Sequence, residues 1–398
     1  MGYGPPEPPP PPRPRYGWLI ALVIAVTLAG GGLVSVALVT TYRATHPTAN
    51  QTASTLPGGS VAAPSAGSPS LPSPGGAAGD PSAITAAVDP TVVNINTTLG
   101  LQQARAAGTG IVLTASGEVL TNNHVIDGAT SITATDVGNG KTYQATVVGY
   151  DRSEDLAVIQ LQGASQLPTA SIGDSSRVSP GDGIVAIGNA GGQGGTPAAV
   201  TGTVTDVDQT ITASEQDGSN AEQLTGLIEI AADIQPGDSG GPLVDLSGHV
   251  IGIDTAASSS YRIQAAGGQG FAIPINQATT VAKQIEGGKA SATIHIGATA
   301  FIGIGVAAAS NGSGSGNGAG GGSGIVVTTV VSGSPAEQAG LAQGDVLVSM
   351  DGTALSTPAT LTTLMNGHHP GDRVTLQVVG QSGQSRSVTI HLTTGPAA

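Results

Sequence analysis

The sequence predicts a mainly β-structured protein that is preceded by one transmembrane helix. Short runs of β-branched residues recur from about residue 84 onward, with turn-forming residues between them. Aromatic residues make up only 2% of the chain, and glycine and proline number 62 and 26. Cores made of Val, Ile, Leu and Ala with many tight turns suit strands better than long helices. A long apolar run near the N-terminus adds the membrane-spanning helix.

Length and charge limit the remaining possibilities. A chain of 398 residues favours two or three domains over one. The formal net charge of −14 disfavours nucleic acid and anionic lipid surfaces as partners. The chain has no cysteine, which excludes disulfides, cysteine-ligated zinc and a thiol nucleophile.

The N-terminal part divides into three segments by composition. Residues 1–17 are rich in proline and predict an extended cytoplasmic tail. Residues 18–42 carry no charge and are long enough for a transmembrane signal anchor, with Trp18 and Tyr42 at the interfaces. A cleaved signal peptide that ends at Ala37 is the alternative. Residues 43–82 are Ala-, Pro-, Ser- and Gly-rich and predict a disordered linker.

The region after the linker reads as a series of short strands and one helix. The expected strands are 91–97, 110–113, 119–121, 131–135, 144–150, 156–161, 183–188 and 200–207. The polar stretch from Asp208 to Gly226 lacks strand periodicity and is expected to be a loop. Asn276–Glu286 is the one segment of this region for which a helix is predicted.

Ser239 stands in the segment Ile-Gln-Pro-Gly-Asp-Ser-Gly-Gly-Pro, residues 234–242. A serine hydroxyl becomes a strong nucleophile only when a base takes its proton and donors receive the developing oxyanion. Glycines on both sides permit a sharp turn that exposes main-chain N–H groups, so the oxyanion hole is predicted at Gly237, Asp238 and Ser239. The same letters fit the nucleophile elbow of α/β-hydrolases, but the glycines and proline that follow are poor helix starters.

A histidine and an aspartate precede this serine at the ends of apolar runs. His124 lies in Leu-Thr-Asn-Asn-His-Val and Asp155 begins Asp-Leu-Ala-Val. The order His, Asp, Ser is that of chymotrypsin-like proteases. Together these motifs resemble the HtrA/Deg family of trypsin-like serine proteases. The segment Gly-Asn-Ala-Gly-Gly-Gln-Gly-Gly-Thr, which starts at Gly188, resembles the PepA-type secreted proteases of actinobacteria.

This resemblance implies a chymotrypsin-like double β-barrel over residues 83–290, with six strands in each barrel. His124, Asp155 and Ser239 are then the catalytic triad in the cleft between the barrels. A loop in the region of residues 208–226 senses activating peptide in this family and orders the oxyanion hole.

The specificity pocket is expected at Asp233, Ile234 and Phe271. Asp233 lies six residues before the serine, where enzymes that cleave after Lys or Arg carry an aspartate. It departs from the HtrA pattern, so two interpretations stay open. The carboxylate lies in the pocket and favours basic side chains, or it faces elsewhere and the enzyme prefers small apolar residues.

Residues 291–398 resemble a PDZ domain (α+β), with a flexible glycine-rich insertion at 310–324. Phe301, Ile302, Gly303 and Ile304 resemble the carboxylate-binding loop of such domains, and the segment from Ser334 to Leu347 fits the rest of the pattern. The resemblance implies capture of peptide C-termini by strand addition.

The expected function is a membrane-tethered serine endopeptidase that cleaves unfolded or exposed protein segments outside the cytoplasmic membrane. The alternatives are a chaperone or peptide-binding protein with little turnover, and an esterase or acyltransferase with the same triad. No cofactor is expected, and no metal site, because the pair His368 and His369 has no ligand partner at suitable spacing. Family resemblance suggests a homotrimer.

Overall fold

The structure is a computed structural model that describes residues 80–215, 222–255, 261–263, 270–309 and 324–397. All of them belong to one compact unit. The predicted tail, anchor and linker before residue 80, and nearly all of the glycine-rich insertion, lie outside the described residues. None of the helices that the structure describes is long and apolar enough to span a bilayer.

The described residues form 22 strands and five α-helices, with short 3-10 turns between them. The strands of the first half are β1 (Val92–Leu99), β2 (Ala104–Val112), β3 (Glu118–Thr121), β4 (Ser131–Asp136), β5 (Thr142–Asp151), β6 (Leu156–Leu161), β7 (Gly183–Gly188), β8 (Ala198–Glu215), β9 (Glu222–Ala231), β10 (Pro242–Asp245), β11 (Val250–Thr255), β12 (Tyr261–Ile263) and β13 (Gly270–Pro274). Those of the second half are β14 (Ile294–Ile296), β15 (Ala300–Phe301), β16 (Ile304–Ala308), β17 (Ile325–Val330), β18 (Val346–Met350), β19 (Thr353–Ala354), β20 (Arg373–Val379), β21 (Ser385–His391) and β22 (Thr393–Thr394). The helices are α1 (Pro81–Val88), α2 (Asn123–Ile126), α3 (Ile275–Glu286), α4 (Pro335–Gln338) and α5 (Pro358–Met365).

Strands β1–β6 form the first barrel. The sheet runs β5-β4-β1-β2-β3-β6, and β6 pairs again with β5, which closes it. Its interior is an apolar cluster that includes Val93, Ile95, Ile159 and the ring of Tyr150. Five of these six strands lie within two residues of the predicted bounds, whereas β2 starts six residues before the predicted strand at 110–113.

Strands β7–β11 and β13 form the second barrel. The sheet runs β8-β7-β10-β11-β13-β9 and closes through a β8–β9 pairing, while β12 extends β8 at its far end. Two six-stranded barrels were expected from the family resemblance, and the topology confirms them. A separate apolar cluster fills this barrel, and a third spans the space between the two barrels.

The polar stretch that starts at Asp208 differs from the prediction. Its described parts are strands, since β8 continues to Glu215 and β9 begins at Glu222, while residues 216–221 lie outside the described residues. The pairing of these strands shifts register three times between Val204 and Ile211, so β-bulges interrupt the alternation. Because polar side chains do not alternate regularly along these strands, their sequence does not show the two-residue period by which a strand is predicted.

Helix α3 closes the protease half. Its buried residues are Ile275, Ala278, Val281, Ala282 and Ile285, a spacing that places one apolar stripe against the core between the barrels. The helix ends where the Gly287 N–H donates to the carbonyls of Lys283 and Ile285. The predicted helix, Asn276–Glu286, is confirmed to within one residue.

Residues 300–394 form the second module. Its main sheet runs β16-β17-β18-β20-β21, with β19 beside β18 and a separate β15–β22 pair. Ile325, Leu347, Val374 and Leu376 are among the fully buried residues of its own core. Helix α5 lies beside β16, which is the edge strand of the main sheet in the described part of the chain.

The predicted boundary between the modules, at residue 291, lies shortly before strand β14. Strand β14 joins the first barrel by pairing with β5, with His295 opposite Tyr150. The His295 side chain is 4% exposed, and its ring stacks on those of Tyr150 and His369 at centroid distances of 5.0 Å. Its Nδ1 lies 2.9 Å from the carbonyl oxygen of Asn366 on the second module. The junction is therefore a strand of the first barrel.

Candidate active site

Asp155 holds His124 at two points. The carboxylate Oδ2 lies 2.8 Å from His124 Nδ1, and Oδ1 accepts the backbone N–H of His124 at 2.9 Å. Both side chains are well shielded, with 8% and 2% of their surface exposed. Because Nδ1 faces the carboxylate, the neutral ring donates there and keeps its lone pair on Nε2. That atom can then serve as a general base.

The backbone of Asp155 is unusual, because its φ of 51° lies in the left-handed region. Its carbonyl accepts hydrogen bonds from Asn122 Nδ2 at 3.0 Å and from the Asn123 N–H at 3.1 Å. Thr255 Oγ1 lies 3.4 Å from the carboxylate Oδ2. These contacts fix the aspartate against the short helix α2 that carries His124, so the pair is pre-oriented.

Ser239 lies in the turn before β10 and is 2% exposed. Its carbonyl accepts the Thr109 N–H at 2.8 Å. A Cβ on Gly108 would lie 3.2 Å from the Ser239 carbonyl oxygen and 2.6 Å from a methyl group of Val125. The residue that follows His124 and the backbone of Ser239 therefore both pack against one glycine of β2. The fold brings the three predicted triad residues to one place between the barrels.

Glycine is required on each side of Ser239. Gly237 and Gly240 have φ values of 104° and 83°, and a Cβ at Gly240 would clash with the Thr109 carbonyl and the Thr121 hydroxyl. Residues 235–238 form a turn in which the Asp238 N–H donates to the Gln235 carbonyl at 3.0 Å. Pro at the second position and a positive-φ glycine at the third are typical of a type II turn.

This turn separates the predicted oxyanion donors into two kinds. The Pro236 carbonyl accepts the Gly191 N–H at 2.7 Å, so the Gly237 N–H of the same planar peptide points the opposite way. The Asp238 N–H is used within the turn. Asp238 was predicted as part of the oxyanion hole, but its N–H is already engaged by the Gln235 carbonyl.

Two buried carboxyl groups lie behind this turn. Asp238 is 4% exposed and Asp254, on β11, is fully buried. Burial raises the pKa of Asp254 well above its usual range, and the charge of Asp238 raises it further. Burial also raises the pKa of Asp238, against a hydrogen bond from the Gln235 N–H that lowers it and the charge of Asp233 that raises it.

The three residues predicted for the specificity pocket have different environments. Asp233 is exposed, whereas Ile234 is half-buried and packs against the core of the second barrel. The Phe271 side chain is 5% exposed and belongs to the apolar cluster between the barrels. Alternation along β13 turns Phe271 to the opposite face from Ala272, and its role in the pocket stays a prediction. Residues 256–260 and 264–269 lie outside the described part.

The predicted carboxylate loop of the second module is partly strand. Phe301 pairs with Thr393 in β15, Ile302 is buried, and Gly303 has a φ of 87°. Ile304 begins the edge strand β16. The loop is tied to helix α4 because the Ile302 carbonyl accepts the Ala336 N–H at 2.9 Å. The turn at Ile302 and Gly303 therefore lies directly before the first residue of strand β16.

Several residues that contact this site were not predicted from the sequence. Thr109 links both barrels, since its Oγ1 donates to the Gly237 carbonyl at 2.7 Å and accepts the Asn189 N–H at 2.9 Å. Thr255 reaches Asp155, and Asp254 is buried beside the catalytic turn. A signal existed only for Asp254, because a charged residue interrupts the apolar run Val250–Thr255.

Comparisons with known proteins agree with this architecture. A family model described as a trypsin-like peptidase domain matches residues 108–253, and a PDZ domain model matches residues 300–392. Serine protease PepD of Mycobacterium tuberculosis is 34% identical over 98% of this chain and 80% of its own length. The periplasmic pH-dependent serine endoprotease DegQ of Escherichia coli is 34% identical over 75% of this chain and 61% of its own length.

Two further proteins extend these similarities. The putative serine protease HhoA of Synechocystis is 34% identical over 64% of this chain, which spans 62% of that protein's length. A solved structure titled HtrA-type protease AlgW with tripeptide is 30% identical, covers 80% of this chain and 98% of its own, and gives a TM-score of 0.45. On the extent of its match to PepD, this chain belongs to the HtrA/Deg family of trypsin-like serine proteases with a C-terminal PDZ domain.

Proposed function

We propose that the chain is an active endopeptidase that cleaves unfolded or exposed segments of other proteins outside the cytoplasmic membrane. The observation that carries this proposal is the double attachment of His124 to Asp155, through Nδ1 at 2.8 Å and through the backbone N–H at 2.9 Å. A protein that only binds peptides has no need of a histidine oriented in this way. The arrangement therefore favours turnover over a pure chaperone role.

In this proposal Ser239 is the nucleophile. Nε2 of His124 takes the hydroxyl proton as Oγ attacks the scissile carbonyl, and later gives it to the leaving amine. Asp155 keeps the ring in the required tautomer and stabilises the imidazolium that forms. An aspartate with its carboxylate buried and its own backbone fixed suits this role.

The N–H groups of Gly237 and Ser239 are proposed to receive the oxyanion. The Gly191 N–H holds the Pro236 carbonyl at 2.7 Å, which keeps the Gly237 N–H turned away from that contact. A pre-oriented donor needs no rearrangement as charge develops, and one such donor is worth roughly 10²–10³ in kcat.

The PDZ module is proposed to select substrates by their C-termini. Strand β16 is the edge of its sheet and helix α5 lies beside it, so an extended peptide can add as a further strand. The turn at Ile302 and Gly303 would then meet the terminal carboxylate with its backbone N–H groups.

For the residue before the cleaved bond, we propose a preference for small apolar side chains. The Asp233 carboxylate is exposed and so does not require a basic partner, whereas a buried unpaired carboxylate would. Ile234 is half-buried nearby and supplies apolar surface.

Three finer points rest on sequence alone. The apolar span at residues 18–42 supports a single-pass membrane tether with the protease outside. Membership of the PepA-type subgroup rests on the glycine-rich segment from Gly188. A homotrimer rests only on the family, and no contact in the chain bears on it.

The test is turnover of an unfolded protein by single variants. Ser239→Ala should lower kcat by about 10⁶, because nucleophile and base act as a unit. Asp155→Asn should lower it by about 10⁴, since an amide at that place favours the wrong histidine tautomer. Asparagine also tolerates the left-handed backbone of residue 155, so the fold should survive.

Ser247→Ala is the matched control, because Ser247 is an exposed serine on the β10–β11 turn. Its digestion of casein should equal that of the unaltered protein. If the Ser239→Ala protein digests casein at a tenth of the normal rate or faster, Ser239 is not the nucleophile.

A further inference from the structure

Asp254 is out of place in its strand. Strand β11 has no other charged residue, and Asp254 is fully buried in it. Neither of its carboxyl oxygens has a hydrogen-bond partner among the described residues. An isolated buried carboxylate costs several kcal/mol in a protein interior, so the group is expected to be neutral or to share its charge.

The backbone of Asp254 is bound to the catalytic turn. Its carbonyl accepts the Gly240 N–H at 2.9 Å, and its own N–H donates to the Gly241 carbonyl at 2.9 Å. Across the sheet it pairs with Ala272, which belongs to the core of the second barrel. Its side chain therefore enters that barrel, on the face opposite to Thr255, whose hydroxyl lies near Asp155.

The two carboxyl oxygens of Asp238 have different environments. Its Oδ2 accepts the Gln235 N–H at 2.8 Å, which closes the turn before Ser239. Its Oδ1 is buried and, like those of Asp254, has no partner among the described residues. A Cβ on Gly188 would lie 2.6 Å from this Oδ1, so only glycine at 188 leaves room for the carboxyl group.

Among the described residues, the charges that act on the two groups come from other aspartates. Asp233 acts on Asp238, and Asp238 acts on Asp254. Strands β7 and β13 contribute Gly188 and Ala272, and the turn before β10 contributes Gly241; none of these residues can ionise. Burial raises the pKa of both carboxyl groups, most strongly that of Asp254; the charge of Asp238 adds to the rise at Asp254, and that of Asp233 to the rise at Asp238.

We propose that Asp254 is a positioning residue: it is held as a neutral carboxylic acid and shares its proton with Oδ1 of Asp238, which fixes the turn that presents Ser239. The proton stays between the two oxygens, one carboxyl acting as donor and the other as acceptor. This inference rests on the proposed protease function for its kinetic consequence, but the protonated carboxyl itself does not depend on catalysis.

The sign of the pH effect follows from the raised pKa. A raised pKa means that the folded state binds the proton more tightly than the unfolded chain does. The contribution of the pair is therefore complete below the ordinary range of an aspartate and is lost as pH rises through the raised pKa. Loss of the proton leaves two buried negative charges beside the turn, so kcat should fall at alkaline pH.

The experiment compares Asp254→Asn and Asp254→Ala with the unaltered protein across pH. Asparagine donates from its amide without a titrating proton, so kcat at neutral pH should stay within a few-fold and the alkaline fall should vanish. Alanine leaves Asp238 buried and unpaired, so kcat should drop by about 10-fold or more while KM changes less. Asp206→Asn, an exposed aspartate of the same barrel, is the control and should keep the alkaline fall.

Infrared difference spectra give a readout that needs no activity. At neutral pH the unaltered protein and the Ser239→Ala variant should both show the carbonyl stretch of a protonated carboxylic acid, and Asp254→Asn should lack it. Absence of that band from the unaltered protein, or an alkaline fall that persists in Asp254→Asn, overturns the proposal. A loss in Asp254→Asn confined to substrates with Lys or Arg before the cleaved bond also overturns it, since Asp254 would then bind substrate.

Discussion

At the scale of single residues, the site depends on backbone conformations that side chains and neighbours enforce. A non-glycine residue in the left-handed region costs of order 1–3 kcal/mol, and Asp155 adopts it with a φ of 51°. Two asparagine donors hold its carbonyl and His124 holds its carboxylate. The strain is stored where the histidine must be oriented, which is where a protease benefits from rigidity.

The exposure of Asp233 leads to a prediction about specificity. Asp233→Ala should leave the cleavage profile unchanged, with small apolar residues preferred before the cleaved bond, because the carboxylate faces solvent. A peptide library varied at that position measures the profile. Asp206→Ala controls for the loss of one negative charge. Efficient cleavage after Arg by the unaltered protein that disappears in Asp233→Ala would place the carboxylate in the pocket.

The proposed triad could be found from sequence because each member sits in a recognisable local motif. Thr109 could not, and Asp254 stood out only as a charged residue in an apolar run, because the roles of both come from contacts between distant segments. Thr109 meets residues 237 and 189, which lie 128 and 80 positions away along the chain. Nothing local in the sequence encodes such a contact.

At the scale of elements, the edge strand of the second module stands out. Strand β16 pairs with β17 on one side, and its register shifts between Gly305 and Val306. A bulge twists an edge and limits unwanted pairing with other chains. Beside it, the Gly303 carbonyl accepts the Val331 N–H at 2.9 Å, which fixes the turn at the start of the strand.

Peptide binding at this edge should depend on a free carboxylate. Peptides that end in an apolar residue should bind the full chain carrying Ser239→Ala, and their C-terminal amides should bind at least about 10-fold more weakly, because a charged hydrogen-bond acceptor is lost. Titration calorimetry measures both. Gly303→Ala should weaken binding of the free acid, since its φ of 87° and its contact with Ser334 leave no room for a methyl group. Equal affinities for acid and amide would exclude carboxylate capture.

The eight strands expected from alternation and turn residues correspond to β1–β8, whereas the later strands of the second barrel and β14 were not among them. The β8–β9 extension was hidden because bulges break its alternation. Strand β14 has only three residues, too few to show a period, and its place in the first barrel depends on a partner more than 140 positions earlier. Long-range pairing of short strands is the information that a local pattern lacks.

At the scale of the whole molecule, the second module is attached to the first barrel at both of its ends. At the N-terminal side of the module, strand β14 pairs with β5 of the first barrel. At the C-terminal side, the last residues of the chain return to the same barrel. There the Gly128 N–H donates to the Ala397 carbonyl at 2.8 Å, and the Ala397 N–H donates to the Ala129 carbonyl at 2.8 Å. Residues 128 and 129 follow directly after helix α2, which carries His124.

Removing residues 395–398 should loosen this second attachment without unfolding the PDZ module. The last core residue of that module is Leu392, so its interior stays intact. The Gly128 amide should lose protection against hydrogen exchange, because its acceptor is gone. The Val137 amide, which donates to the Val92 carbonyl at 3.0 Å in the same barrel, is the internal control. Unchanged exchange at Gly128 would contradict the described contact.

The position of Ala397 also bears on how the protein is handled in the laboratory. A purification tag or fluorescent fusion joined to the C-terminus begins beside the turn at Gly128, two residues after helix α2 ends. Such a fusion would compete with the last hydrogen bonds of the chain at the wall of the first barrel. Tagged preparations are therefore best joined through a flexible spacer, and their activity compared with protein from which the tag has been cut.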